Sequence, residues 1–238
     1  MDFYYLMFLP YQTEGFVLKK EDQAEADQLF TIFSKDFGKI KILGKAIRKI
    51  TSKLRAGMEL FYLSQIEFIQ GKTYKILTEA MVIDKFKEMR ENLERLNIAF
   101  KISEDLDNLL KGEEQDEKIW QLLLEVFEKL NNLQLIYHYF FWNFISILGY
   151  KPELYFCASC QKKLKPEKLY FSVKEGGLIC KNCFNKFDTG IEININAIKI
   201  LRLIIKKDWK ILEHIKINDE DEKCLEIISQ NAILSIRN

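Results

Sequence analysis

The sequence predicts an α+β protein of several domains: a small β-barrel, then a helical domain with a cysteine-containing ribbon inserted into it. Three observations predict this order. Apolar residues alternate at strand spacing in the first third of the chain, recur at helical spacing after Asp84, and are interrupted by two cysteine pairs. The 238 residues can form two or three small domains. The predicted domains are the barrel at 1–82, the helical domain at 83–152 and 190–238, and the ribbon at 153–189.

The charge pattern supports separate modules. The net charge is +1. Formal charges sum to about +2 over residues 1–80, about −5 over residues 81–150 and about +4 over residues 151–238. Basic ends that flank an acidic middle indicate modules with different partners.

Short runs rich in β-branched and aromatic residues predict the strands of the barrel. In one of them Lys39 and Lys41 alternate with Ile40 and Ile42, which predicts one polar and one buried face. Five short strands in roughly 75 residues favour a small closed barrel of the oligonucleotide-binding (OB) type. The predicted strands cover residues 15–18, 29–33, 39–43, 60–69 and 74–78.

Helical periodicity replaces the alternation after Asp84. Three helices are expected before the cysteines and two after them, so the ribbon interrupts a helical domain. An aromatic stripe runs from Leu133 to Leu148 and is typical of the core of a bundle. The predicted helices cover residues 96–109, 119–130, 133–148, 195–207 and 221–236.

The cysteines form the most specific motif of the chain. Two residues separate the members of each pair and nineteen separate the pairs, so two tight turns can present four thiolates to one tetrahedral ion. The sequence predicts one structural Zn²⁺ with no open position for water. Disulfides would need an oxidising compartment, for which the chain shows no signal. A lost metal site and an iron centre with the same ligands are the other interpretations. The predicted ligands are Cys157, Cys160, Cys180 and Cys183.

A basic stretch, residues 39–55, contains no acidic residue. Spread along a strand and the following loop, its cations would form a positive face for the phosphates of nucleic acid. Tyr62, Phe68 or Tyr74 could stack bases beside it. The alternative is a solvated strand edge protected by lysines, with these aromatic residues in the core. The predicted DNA-binding residues are Lys39, Lys41, Lys45, Arg48, Lys49, Lys53 and Arg55.

The chain lacks the usual signatures of an enzyme. It has no glycine-rich phosphate loop, histidine metal motif or nucleophile elbow. His138 and His214 lie in apolar helical stretches, and Cys224 is interpreted as a small core residue. No stretch approaches membrane-spanning length, and the apolar start lacks the features of a signal peptide, with Met7 an alternative start to Met1. We therefore expect a cytoplasmic protein without a membrane partner.

Several short motifs, in this order, resemble the bacterial recombination-mediator family RecO. Near the start these are Glu14-Gly-Phe-Val-Leu and the loop Gly44-Lys-Ala-Ile-Arg-Lys, where Ala46 stands in place of an expected glycine. Later, Leu148-Gly-Tyr-Lys-Pro leads into the first cysteine pair, and Gly176-Gly-Leu-Ile leads into the second. Gln161 replaces the glycine that often follows the second cysteine. The resemblance covers nearly everything from Tyr11 onwards.

The resemblance implies a non-enzymatic factor of DNA repair. Such proteins bind single- and double-stranded DNA, anneal complementary strands and act with RecR. They also contact the acidic C-terminal tail of single-stranded-DNA-binding protein (SSB) and so help to load RecA onto coated strands. A cytoplasmic, nucleoid-associated location follows. We expect the tail to dock on the helical domain, where the stripe from Leu133 to Leu148 would form a cleft wall unless it is wholly buried.

Two other functional classes remain open at the level of sequence. A zinc-ribbon factor of transcription or translation with an OB barrel would share the same chemistry but have RNA or polymerase partners. A metal-dependent nuclease would need carboxylates clustered with histidines, whereas the acidic runs at 104–107 and 113–117 are typical of solvated helix ends.

Overall fold

A computed structural model describes residues 9–129, 133–187 and 189–237. The chain forms two compact units, Met1–Glu128 and Lys129–Asn238. The choice between Met1 and Met7 as the start concerns residues outside the described ones. The three-domain division at 1–82, 83–152 with 190–238, and 153–189 stays a prediction, because compactness alone does not define an independently folding domain.

The first unit contains the closed barrel that the sequence predicts. Its strands join in the order β1-β2-β3-β5-β4, and β3 and β5 pair in parallel. The other neighbouring strands are antiparallel. This arrangement confirms the OB-type barrel. The strands are β1 (Tyr11–Gln23), β2 (Asp27–Ser34), β3 (Gly38–Gly44), β4 (Leu63–Ile69) and β5 (Lys75–Asp84).

The barrel core follows from the alternation in sequence. Ile40 and Ile42 of β3 are buried, Lys41 between them is exposed, and Lys39 is partly buried. They join apolar residues of every other strand in one cluster, so the predicted inward and outward faces of β3 are confirmed. A short 3₁₀ turn, Leu54–Gly57, connects β3 to β4.

Helices complete the first unit: α1 (Lys87–Arg90), α2 (Leu93–Leu109) and α3 (Glu117–Glu128). Asn92 begins α2, because its side chain accepts hydrogen bonds from two backbone N–H groups of the first turn. Trp120 of α3 packs against Phe16 and Phe33 of the barrel, with ring centroids 5.3 and 6.4 Å apart. The apolar face of α3 therefore covers strand residues inside the same unit.

The second unit is a helical bundle with an inserted ribbon. The aromatic residues of α4 from Tyr139 to Phe144 are buried, so this part of the stripe is bundle core. The side chain of Leu133 lies outside the described residues. The helices are α4 (Leu133–Ile147), α5 (Lys181–Phe187), α6 (Ile195–Ile205), α7 (Trp209–Leu212) and α8 (Asp219–Arg237).

The ribbon is a three-stranded antiparallel sheet in the order β7-β6-β8. Strands β6 (Leu169–Ser172) and β7 (Gly177–Cys180) form a hairpin between the two cysteine pairs, and β8 (Ile191–Ile193) pairs with β6 as a third strand that the sequence did not indicate. The ribbon lies between α4 and α6 in the chain, which confirms the predicted insertion.

Candidate metal centre and nucleic-acid surface

The four cysteines come together at the ends of the ribbon. Cys157 and Cys160 lie in the turn that follows α4, Cys180 ends β7, and Cys183 lies in α5. Cys157 and Cys183 are buried in a small cluster with Tyr170. The sulfur atoms of the four cysteines all lie within 4.8 Å of one another. Two separate chain segments thus place four soft donors at one point.

The geometry of this cluster fits zinc. A tetrahedral site with Zn–S bonds of about 2.3 Å separates its sulfur atoms by about 3.8 Å. The Sγ atoms of Cys160 and Cys180 are 3.9 Å apart. A disulfide would need about 2.05 Å, and all five cysteines of the chain are free thiols. The cluster therefore has the spacing of metal ligands and not that of a cystine.

Electrostatics also favour a cation at this point. Burial opposes ionisation of Cys157, but backbone N–H groups, chiefly those of Cys160 and Cys180, lower the pKa of its thiol to about 6. Burial, together with the neighbouring sulfur atoms, raises the pKa of Cys183 to about 12. One thiolate is thus stabilised while a second beside it is disfavoured. A divalent cation at the centre would remove this conflict, because thiolates are the form that binds metal.

The hydrophobic support beneath the cluster is small. Tyr170 and Phe184 stack with ring centroids 3.7 Å apart, and Ile179 packs beside the cysteines. The ribbon also packs on the bundle, because Phe171 of β6 lies against Trp142 of α4 with ring centroids 5.4 Å apart. A bound Zn²⁺ would add cross-linking at the turns that carry the cysteines.

The basic stretch of residues 39–55 follows β3 and the loop after it. Six of its seven cations are exposed, and the exception is Lys39. The ammonium group of Lys39 contacts Asp107 of α2 at 3.3 Å, so this charge also joins the barrel to a helix. Arg48 lies 3.2 Å from Asp22 in an exposed ion pair, which is weak and leaves the guanidinium accessible.

The loop that carries these cations is anchored to the barrel. The backbone N–H of Ala46 donates to the carboxylate of Asp27 at 2.7 Å, and that of Arg48 donates to the carbonyl of Ala26 at 3.0 Å. Ala46 has a φ of +52°, in the left-handed region that favours glycine. The loop therefore keeps a glycine-like backbone although the residue is alanine.

The three aromatic residues considered as base-stacking platforms differ in exposure. Phe68 is buried in the barrel core and stacks on Tyr11, so its assignment as a platform is wrong. Tyr62 and Tyr74 are partly exposed. The Arg90 guanidinium lies over the Tyr62 ring at 4.9 Å, an arrangement that leaves less of the ring for a base.

Three other features singled out in the sequence, His138, Cys224 and the described part of the stripe on α4, are partly or fully buried. His138 is buried, with Nδ1 3.4 Å from the hydroxyl of Ser229. Burial raises the pKa of the Cys224 thiol. Leu135 and Phe140 are also buried, so the expected cleft wall on α4 is wrong for these positions and the bundle-core interpretation applies.

Comparison with known families decides the relationship of the chain. A family profile described as "Recombination protein O N terminal" matches residues 7–86, and one described as "Recombination protein O C terminal" matches residues 90–232. The chain belongs to the RecO family. A DNA repair protein RecO of Dehalococcoides mccartyi is 35% identical over 213 residues, which are 88% of this chain and 84% of that protein.

Other RecO proteins are more distant but match most of the chain. One from a Roseiflexus species is 28% identical over 87% of this chain and 74% of its own length. Another, from Halalkalibacterium halodurans, is 27% identical over 92% of this chain and 86% of its own length. The two RecO profiles meet between residues 86 and 90, where β5 ends and α1 follows. Within the described residues, no helix is long and apolar enough to cross a membrane.

Proposed function

We propose that this RecO-family chain is a DNA-binding recombination mediator in DNA repair, without catalytic activity of its own. In this role it binds single- and double-stranded DNA and anneals complementary strands. With RecR it helps to load RecA onto strands coated by SSB, whose C-terminal tail it contacts. It would act in the cytoplasm at the nucleoid. Family membership supports this role over that of a transcription or translation factor.

The observation that carries the proposal is the anchored basic loop on an OB-type barrel. Lys45, Lys49, Lys53 and Arg55 are exposed, and the loop is fixed to the barrel by backbone hydrogen bonds. A fixed loop loses little conformational entropy when its cations meet phosphates. Such contacts are independent of base sequence and fit a factor that handles any strand.

The cysteine cluster has a structural role in this proposal. Cys157, Cys160, Cys180 and Cys183 would hold one Zn²⁺, which supplies cross-linking of the ribbon and no reaction chemistry. Four thiolates on one Zn²⁺ leave a net charge near −2, and the exposed lysines nearby, Lys162 and Lys181 among them, would offset it. The ribbon then joins α4 to α6 through a rigid insert.

An annealing assay tests the function. Complementary strands are coated separately with SSB, mixed, and the duplex is measured with and without the protein. We expect this chain to accelerate duplex formation, and immobilised chain to retain RecR and SSB from a lysate. No acceleration, together with recovery of RNA polymerase or ribosomal proteins instead, would contradict the mediator assignment.

A charge-reversal pair tests the basic stretch itself. In Lys49→Glu/Arg55→Glu, the dependence of single-strand affinity on salt should weaken, because each lost phosphate contact reduces the slope by about 0.7. The control pair is Lys111→Glu/Lys118→Glu, which changes the net charge equally at exposed positions of the same unit. Equal slopes in the two pairs would mean that the cations only protect a strand edge.

A further inference from the structure

A cationic cleft lies in the second unit, far in sequence from the basic stretch. The segment after α4 forms one wall, and the last turns of α6 form the other. The cleft has a volume of about 510 Å³, and Lys151, Tyr155, Arg202 and Lys206 line it. The sequence offered no sign of it, because the cations of its two walls are about fifty residues apart.

Arg202 is held in a fixed orientation in this cleft. Its Nε and Nη2 atoms both donate to the carbonyl oxygen of Leu154, at 3.1 and 2.5 Å. Its guanidinium carbon lies 4.6 Å from the centre of the Tyr155 ring, and the Lys206 ammonium lies 5.8 Å from it. A guanidinium has five N–H donors, so further donors of Arg202 remain for an anion.

Positive charge prevails in the cleft. Within the described residues, neither Lys151, Arg202 nor Lys206 forms a salt bridge. The one carboxylate of the lining is Glu153, whose Oε1 accepts backbone N–H bonds from Tyr155 at 2.8 Å and from Phe156 at 3.1 Å. These bonds, chiefly that from Tyr155, hold the pKa of Glu153 below its usual value. Glu153 therefore keeps its negative charge, which Lys151 partly offsets, and the three cations of the lining leave the cleft with a net charge of +2.

Exposed aromatic rings accompany these cations. Tyr150 is 53% exposed, and Tyr155 and Phe156 are each 44% exposed. All three lie within seven residues of one another, next to Lys151. Large rings at this exposure contribute little to a core. Cations interleaved with exposed rings are the pattern that binds single-stranded nucleic acid, through phosphate contacts and base stacking.

We propose that this cleft is a second binding site for single-stranded DNA. Arg202, Lys151 and Lys206 would contact phosphates. Bases would stack on Tyr150, which lines a neighbouring pocket that shares Lys151 and Pro152 with the cleft. An acidic peptide could use the cations, but it would leave the Tyr150 ring exposed. The proposal rests on the proposed function and deepens it, because a protein that anneals two strands gains from one nucleic-acid site on each unit.

Salt titration of full-length protein tests the site. The variant Lys151→Glu/Lys206→Glu is compared with Lys210→Glu/Lys223→Glu, which reverses two exposed lysines of the same unit outside the cleft. With labelled oligothymidine, the first pair should reduce the slope of log affinity against log salt by about 1.4, the value for two lost phosphate contacts, and the control pair should not. Zinc content and circular dichroism check that both variants fold.

Photo-crosslinking locates the contact directly. Oligonucleotides containing 5-iodouracil are irradiated with the wild-type protein, and the crosslinked peptides are sequenced by mass spectrometry. Adducts on Tyr150, Tyr155 or Phe156 support the site. Adducts confined to the barrel, with a normal salt slope in Lys151→Glu/Lys206→Glu, would overturn it. Wild-type protein that binds no DNA would instead contradict the proposed function.

A peptide titration separates the two kinds of partner. A glutamate-rich peptide is added to the oligonucleotide complex at constant ionic strength. The proposal predicts that the Lys151→Glu/Lys206→Glu pair weakens oligonucleotide binding more than peptide binding. Loss of peptide binding with unchanged oligonucleotide binding would overturn the proposal and assign the cleft to an acidic protein segment.

Discussion

Replacing Ala46 by glycine should stabilise the first unit, although it removes a methyl group. Ala46 has a φ of +52°. A non-glycine residue in the left-handed region destabilises the folded state by about 1–2 kcal/mol. Glycine gives up about 0.5–1 kcal/mol of this gain, because it makes the unfolded chain more flexible. These ranges leave a net gain in the free energy of unfolding of about 0–1.5 kcal/mol, and their central values give about 0.75 kcal/mol. The hydrogen bonds of this loop use backbone atoms of Ala46, so glycine retains them.

Urea unfolding measures this gain. Trp120 packs on the barrel, and the other two tryptophans, Trp142 and Trp209, lie in the second unit. In a Trp142→Phe/Trp209→Phe background, the emission of Trp120 therefore reports on the first unit. For a slope of 1–3 kcal/mol per molar urea, the midpoint for Ala46→Gly should rise by about 0.2–1 M.

A matched control makes the sign decisive. Ala56 is exposed in the 3₁₀ turn of the same loop and does not have a positive φ. Glycine there removes no strain and adds freedom to the unfolded chain, so Ala56→Gly should lower the midpoint. If Ala46→Gly lowers the midpoint as much as Ala56→Gly does, the left-handed conformation of Ala46 stores no strain and the reasoning is wrong.

Two further predictions concern the core and the metal centre. Trp120→Ala should lower the free energy of unfolding by about 3–5 kcal/mol, because removal of the buried indole leaves a cavity against the barrel. The control Leu93→Ala, at an exposed position, should lower it by less than about 0.5 kcal/mol. Urea unfolding followed by circular dichroism compares the two variants. Cys180→Ser should abolish the binding of one zinc per chain, and Cys224→Ser should leave it intact. Zinc-free wild-type protein with four freely alkylated ribbon cysteines would refute the metal assignment.

The sequence was sufficient for elements whose signal is local. Alternation around Ile40 and Ile42 predicted β3, and helical spacing predicted the principal helices, because burial of one face imposes these periods. The cysteine spacing predicted the cluster, because two residues between ligands fit one tight turn. Ala46 and Gln161 stand where the resemblance predicts glycine. Both have a positive φ, so both keep the backbone conformation that glycine favours.

Long-range pairing was beyond a single sequence. Lys39 reaches Asp107 across 68 residues, and its local context only marked it as one more exposed cation. The same holds for Arg202, whose position beside Tyr155 depends on how α6 packs after the ribbon. The strand β8 is only three residues long, too short for a period to emerge.

Helix α3 covers part of the barrel, and this order of elements affects folding during synthesis. All five strands of the barrel are complete at Asp84, so the barrel can close while later residues are still being made. Phe16 and Phe33 stay without their Trp120 contact until α3 has been made. Translation of the roughly 45 residues up to Glu128 takes about 2–9 s at bacterial elongation rates. During this interval the nascent chain presents an uncovered aromatic surface near the ribosome. Chaperones that hold nascent chains have a target in this surface until α3 covers it.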